Sequence, residues 1–178
     1  MKLTETKYQF LIQQYKNNVY SYALYMMKNR MDAEDISQEV MIRIWQNVDR
    51  FNILSAKTWI MKTTHNLCID YLRKRQSSYS RVSSIDDEFT ETYADGLEEN
   101  NPLTRTHLKM ITDKIKKAIQ NLPDKLKSVF VLYEVQGLKY REISKALEMP
   151  LNTVKVNLLR ARKKLQEELK HYEKQEVF

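Results

Sequence analysis

The chain has 178 residues, 30 Lys and Arg against 23 Asp and Glu, a net charge of +7 and 42% hydrophobic residues. That hydrophobic fraction excludes a disordered chain, and the length suits one ordinary domain or two small ones. Two Gly and three Pro in the whole chain leave almost none of the positive-φ positions that hairpins, barrels and phosphate-cradling loops need. An all-α fold is expected. Cys68, the single cysteine, excludes an intrachain disulfide and a multi-Cys zinc site, and reads as a small buried hydrophobe. No apolar run reaches the roughly 18 residues of a membrane span, and the first residues carry no signal-peptide core. A cytoplasmic protein is expected.

Tyr8, Leu11, Ile12, Tyr15, Val19, Tyr22 and Met26 recur at three- and four-residue spacing, one apolar helical stripe. Ile36, Val40, Ile44 and Val48 form a second, after Asp32-Ala33-Glu34-Asp35, an acidic turn that suits a helix N-terminus. Ile60, Thr64, Leu67 and Tyr71 form a third. From Ser77 to Asn101 the periodicity stops, and seven acids stand against one base, Arg81. Helical spacing resumes with Leu108, Ile111, Ile115, Ile119 and Leu122, then Leu126, Val129, Phe130 and Tyr133, stopping at Gly137. Two further helices, 140–147 and 151–169, flank Glu148-Met149-Pro150.

These elements predict two small helical domains, 1–76 and 105–178, joined by an acidic linker over 77–104. The charge is unevenly split: +5 over 1–76, −6 over 77–101 and +8 over 102–178.

Residues 137–165 have the pattern of a helix-turn-helix, with Ile143 and Leu147 anchoring the first helix and Val154, Leu158, Ala161 and Leu165 the second. A short turn lets the second helix enter a major groove while the first crosses the backbone. On an ideal wheel the face opposite the apolar stripe holds Asn152, Thr153, Val156, Arg160 and Lys163, with Lys155 and Asn157 on its flanks. Basic residues there suit phosphates, and Asn and Arg suit base edges.

Residues 32–39 cluster four acids, Asp32, Glu34, Asp35 and Glu39. A metal-dependent nuclease uses carboxylates in this way, yet no His or distant acidic pair completes such a site. Asp35, Gln38, Glu39 and an outward Ile42 look instead like a protein-binding patch. In 57–75, Lys62, Asn66 and Arg73 line up away from the apolar stripe, with His65 and Asp70 beside them, a surface suited to a DNA backbone and an unpaired base. His65 taken singly reads as a surface histidine, and Trp45 and Trp59 as core.

Taken together, Asp-Ala-Glu-Asp-Ile-Ser-Gln-Glu-Val at 32–40, Lys-Thr-Trp-Ile at 57–60, Asn-Leu-Cys-Ile-Asp-Tyr-Leu-Arg at 66–73, Leu-Pro-Asp-Lys-Leu-Lys-Ser-Val-Phe at 122–130 and Leu-Arg-Ala-Arg-Lys-Lys-Leu at 159–165 resemble the extracytoplasmic-function group of bacterial RNA polymerase sigma factors. The match covers nearly everything outside the linker. The resemblance implies a non-catalytic specificity subunit that binds core RNA polymerase and promoter DNA, with no metal, cofactor or small-molecule substrate. It implies that Asp35, Gln38, Glu39 and Ile42 grip the β′ clamp helices. Lys57, Lys62, His65, Asn66 and Arg73, with the loop 52–57, would engage the minus-10 element. Asn152, Thr153, Lys155, Val156, Asn157, Arg160 and Lys163 would read the minus-35 element, with the flank of that motif on the β-flap. The acidic linker would thread the polymerase channel. An anti-sigma factor, often a membrane protein in this family, is implied as a further partner.

Several positions depart from the family's habit. Lys139 stands where Ser or Thr caps the first helix of the motif. Glu148 stands where Gly often sits, at a cost of about 1 kcal/mol if the backbone keeps positive φ. Pro150 replaces a Ser cap and suits a first helical turn, while Val156 and Asn157 fall where Ser and Arg are frequent. The alternative function is a helix-turn-helix regulator with an N-terminal partner-binding domain, which leaves the motifs at 32–45 and 57–75 without a role; a nucleic-acid enzyme ranks third.

Overall fold

The computed structural model describes residues 2–50, 52–79 and 102–175, all-helical with tight turns between. Helix α1 spans Lys2–Met27, α2 Arg30–Asn47 and α3 Ile53–Tyr79, with a 3-10 turn at Val48–Arg50. These three pack on one another as the N-terminal bundle. Helix α4 spans Pro102–Asn121, α5 Asp124–Phe130, α6 Tyr140–Leu147 and α7 Leu151–Gln175. In the C-terminal bundle α4, α5 and α6 all pack against α7. Helix α3 runs three residues past the expected end of the first domain, and residues 80–101 of the expected linker lie outside the described residues.

The stripe read from α1 is buried at Leu11, Val19, Tyr22 and Met26, with Tyr8, Ile12 and Tyr15 partly covered. All four residues of the α2 stripe, Ile36, Val40, Ile44 and Val48, are buried. Asn29 caps that helix: its side chain accepts from the Asp32 N–H at 3.0 Å. Asp32 in turn accepts from Tyr71 Oη at 2.8 Å and lies 3.4 Å from Arg75, tying the start of α2 to the end of α3. Cys68 is fully buried, as expected, and burial pushes its thiol up.

Three expectations about the core change. Trp45 is half exposed, its ring meeting Tyr8 edge-on at 5.0 Å, while Trp59 is partly buried against the core. Trp45 follows Ile42 by three residues and so continues the outward face of α2. Leu108, Ile111 and Ile115 are each about 40% exposed, and only Ile119 and Leu122 reach the core. The stripe is regular, but the first turns of α4 extend beyond what α7 covers.

The third change is in α5, which continues into a π-helical turn over Val131–Val135, with Gln136 N–H bonding to Val131 O at 2.9 Å. The wider turn buries Val129, Val131 and Leu132 together and stacks Tyr133 on Tyr140 at 4.9 Å. Arg162 of α7 lies 5.5 Å from the Tyr133 ring centre and donates twice to Glu134, at 2.6 and 3.0 Å. This cluster locks α7 to the π turn by cation–π and charge-assisted contacts.

The helix-turn-helix has the boundaries its pattern implies. Lysine has no acceptor atom, so Lys139 gives α6 no side-chain cap; the Glu142 carboxylate accepts the Lys139 N–H at 2.7 Å and supplies the reciprocal half of a capping box. Glu148 ends α6 with φ 52 and ψ 41, a left-handed residue whose N–H returns to Ser144 O. Pro150 precedes α7, its carbonyl accepting from Val154 N–H at 3.1 Å, so it occupies the cap position rather than the first helical turn.

The two bundles touch. Helix α3 packs on α6, and α1 meets α4, α5 and the π turn; their buried side chains form one hydrophobic cluster. Polar groups accompany that cluster. Asn18 donates to Gln136 at 2.7 Å, and Gln136 is only 4% exposed. Lys127 is also buried, paired with Asp124 at 3.1 Å, and burial lowers its pKa.

Leu158, 1% exposed, sits at the centre of the C-terminal bundle. Leu158→Ala should cost about 2–5 kcal/mol of stability in urea unfolding followed by circular dichroism. A loss under about 1 kcal/mol would contradict this packing.

Candidate nucleic-acid interface

Burial of Val154, Leu158, Ala161 and Leu165 turns the opposite side of α7 outward. Asn152, Thr153, Lys155, Val156, Arg160 and Lys163 are all exposed there. Asn157 is not: it is buried, with its amide 3.8 Å from the Met149 sulfur. It packs the turn, one step around the helix from the groove face, and that corrects its expected role. Leu159, 69% exposed, also belongs to this face. It lies at helical spacing between Val156 and Lys163, a signal the sequence did carry. Val156 and Leu159 together offer apolar contacts of the kind that suit thymine methyl groups.

On α3, Asn66 and Arg73 are exposed and Lys57 and Lys62 partly so, with Arg73 3.0 Å from Asp70. The expected loop 52–57 is mostly the first turn of α3, which starts at Ile53 and is open to solvent, Leu54 being 92% exposed. Lys62 ion-pairs with Glu148 in the turn of the helix-turn-helix, 86 residues away, and this partner holds the Glu148 carboxyl below its usual range. His65 is largely buried rather than a surface histidine. Burial lowers its pKa to about 4 and raises that of Tyr22, and the two neutral groups share a hydrogen bond, Tyr22 Oη to His65 Nδ1, at 2.8 Å. Its role is to fix α3 against α1 beneath the candidate surface.

On α2, Asp35, Gln38 and Ile42 are exposed and Glu39 is half-buried. Glu34 pairs with Arg30 and Glu39 with Arg43, each at 2.8 Å along the helix. With Asp32 held by α3, three of the four acids have their own cation, and among the described residues they do not converge on one point. The face they make is a mixed polar strip around Ile42 and Trp45.

The sequence comparisons agree with this geometry. Residues 11–78 match the Sigma-70 region 2 family, and residues 112–165 match Sigma-70, region 4. The chain is 32% identical to the ECF RNA polymerase sigma factor SigW of Bacillus subtilis over 88% of this chain and 85% of that protein. Among solved structures, it resembles the sigma factor RpoE of Bartonella quintana, in complex with the anti-sigma factor NepR. That likeness has a TM-score of 0.75 at 21% identity, over 91% of this chain and 96% of the other. CnrH, solved with the cytosolic domain of CnrY, matches with a TM-score of 0.60 at 17% identity, over 92% and 88% of the two chains. A two-bundle, all-helical protein with an exposed basic recognition helix is a promoter-binding type of fold. The chain belongs to the ECF group of RNA polymerase sigma factors.

His65 sets a pH dependence. The unfolded chain takes a proton near pH 6.5, while the folded one refuses it until about 4. Stability is therefore full above pH 6.5 and falls as pH drops through that window, by up to about 3 kcal/mol. Both tryptophans, Trp45 and Trp59, lie in the N-terminal bundle, so their fluorescence in urea follows it. His65→Gln should flatten the loss between pH 6.5 and 4.5; equal slopes in the two proteins would contradict the burial described.

Proposed function

We propose that this chain is the promoter-specificity subunit of a bacterial RNA polymerase, acting in the cytoplasm and catalysing no reaction itself. The observation that carries this reading is the outward face of α7. Asn152, Thr153, Lys155, Val156, Arg160 and Lys163 are exposed because the opposite stripe is buried, in a chain whose first bundle matches Sigma-70 region 2. In this reading α7 occupies the major groove of the minus-35 element. Lys57, Lys62, Asn66 and Arg73, with the first turn of α3, take the minus-10 element and its unpaired strand. Asp35, Gln38, Glu39 and Ile42 contact the β′ clamp helices, and the flank of the helix-turn-helix contacts the β-flap. His65 acts from behind the surface, and Asn157 from within the turn. Residues 80–101, acidic in sequence, serve as the tether in the polymerase channel. Solved relatives are bound to NepR and to the cytosolic domain of CnrY, which supports an anti-sigma factor, membrane-anchored or not, as the regulator of this chain. The helix-turn-helix regulator is not favoured, since region 2 would then have no function.

Arg160→Ala should reduce run-off transcript from a cognate promoter by about 5- to 100-fold, the worth of a base contact, with core polymerase retained in co-purification. Loss of core binding as well would contradict a groove-facing role. Conversely, Gln38→Ala with Glu39→Ala should lower retention of core polymerase while the protein still binds minus-35 duplex; unchanged retention would refute the proposed polymerase face.

A further inference from the structure

Two side chains at the centre of the outward face of α7 cannot make a hydrogen bond. Val156 and Leu159 are 44% and 69% exposed, and neither is among the apolar side chains packed on the core. Asn157, which stands between them in sequence, is withdrawn into the turn against the Met149 sulfur. The polar groups lie around the pair: Asn152, Thr153 and Lys155 toward the start of the helix, Arg160 and Lys163 toward its end, all exposed. Residues three apart on a helix are separated by about 4.5 Å along its axis, close to one base step of about 3.4 Å. Val156 and Leu159 therefore meet neighbouring base pairs. The major groove presents hydrogen-bonding edges and a single apolar group, the 5-methyl of thymine. Set over cytosine or adenine, the two aliphatic side chains would strand an amino donor, and over guanine two acceptors. Thymine alone gives them a group to bury.

We infer that Val156 and Leu159 are specificity-determining residues, each reading the 5-methyl group of a thymine. The upstream promoter element of this chain then carries thymines, on either strand, in two neighbouring base pairs under the centre of α7. This inference rests on the functional reading above and adds which base the centre of the helix selects, and by which atom. Basic residues on both sides hold the helix to phosphates without sequence preference. Discrimination at these two base pairs is left to the methyl contacts.

The test uses holoenzyme reconstituted from the full chain and core polymerase, on promoter duplexes carrying the upstream element selected from a randomised library. Each thymidine of that element is replaced singly by deoxyuridine, which removes the methyl and keeps every hydrogen-bonding group. Binding is compared by competition at fixed salt. With the parent chain, substitution in two neighbouring base pairs should weaken binding by about three- to fivefold, the worth of one buried methyl. Val156→Ser should erase the loss at one of these positions and Leu159→Ser at the other; both side chains are exposed, so the fold is little affected. Equal binding of every deoxyuridine duplex, or losses that persist in both serine variants, overturns the methyl readout, while transcription from the element upholds the functional reading. A selected element without thymines in neighbouring base pairs overturns it equally. If the library yields no upstream element at all, the functional reading fails and the methyl readout falls with it.

Discussion

Burial of one stripe on α7 is the constraint from which the rest of the molecule follows. Val154, Leu158, Ala161 and Leu165 must face α5 and α6, and a helix with one side committed has only the other to offer. That other side is rich in Lys, Arg and Asn. The π turn supports the arrangement from below. By adding a residue to its turn it buries Val131 and Leu132 while directing Tyr133 and Glu134 to Arg162. Arg162 is thereby a positioning residue for the basic face and not a member of it.

The N-terminal bundle follows the same logic on a larger core, with each helix burying one stripe and the exposed strip of α2 left for a partner. One apolar cluster runs through both bundles, and where they meet it is joined by a buried glutamine and a carboxylate on a left-handed residue, with a buried lysine on α5. Burying Lys127 beside a mostly exposed Asp124 costs desolvation that the single ion pair does not fully offset.

Legibility in the sequence followed the range of the physics. The stripe Ile36–Val40–Ile44–Val48 and the bounds of α6 depend on local periodicity and local turn chemistry, and both were readable. The left-handed backbone at Glu148 came only from the resemblance, which implies a glycine position there. Asn157 was misplaced because a polar side chain on a flank was assigned to solvent, whereas Met149, eight residues earlier, folds back over it. His65 and Trp45 exchanged roles for a related reason: a helical wheel gives direction, but not which neighbour arrives to cover it. Leu108, Ile111 and Ile115 show the converse, a regular apolar stripe with no described element fully covering it. The π turn and the Lys62–Glu148 pair lay beyond reach, the first because its residues keep an ordinary helical pattern. The second joins positions 86 residues apart.

A sigma factor reads promoter DNA on behalf of the polymerase that carries out the synthesis. Run-off transcription by purified core polymerase on a randomised promoter library, with and without this protein, tests it most directly. The account predicts that transcripts depend on the protein and come from templates sharing two separated motifs, one upstream read by α7 and one at the melting site. Transcription independent of the protein, or enrichment of one palindromic motif, would contradict it.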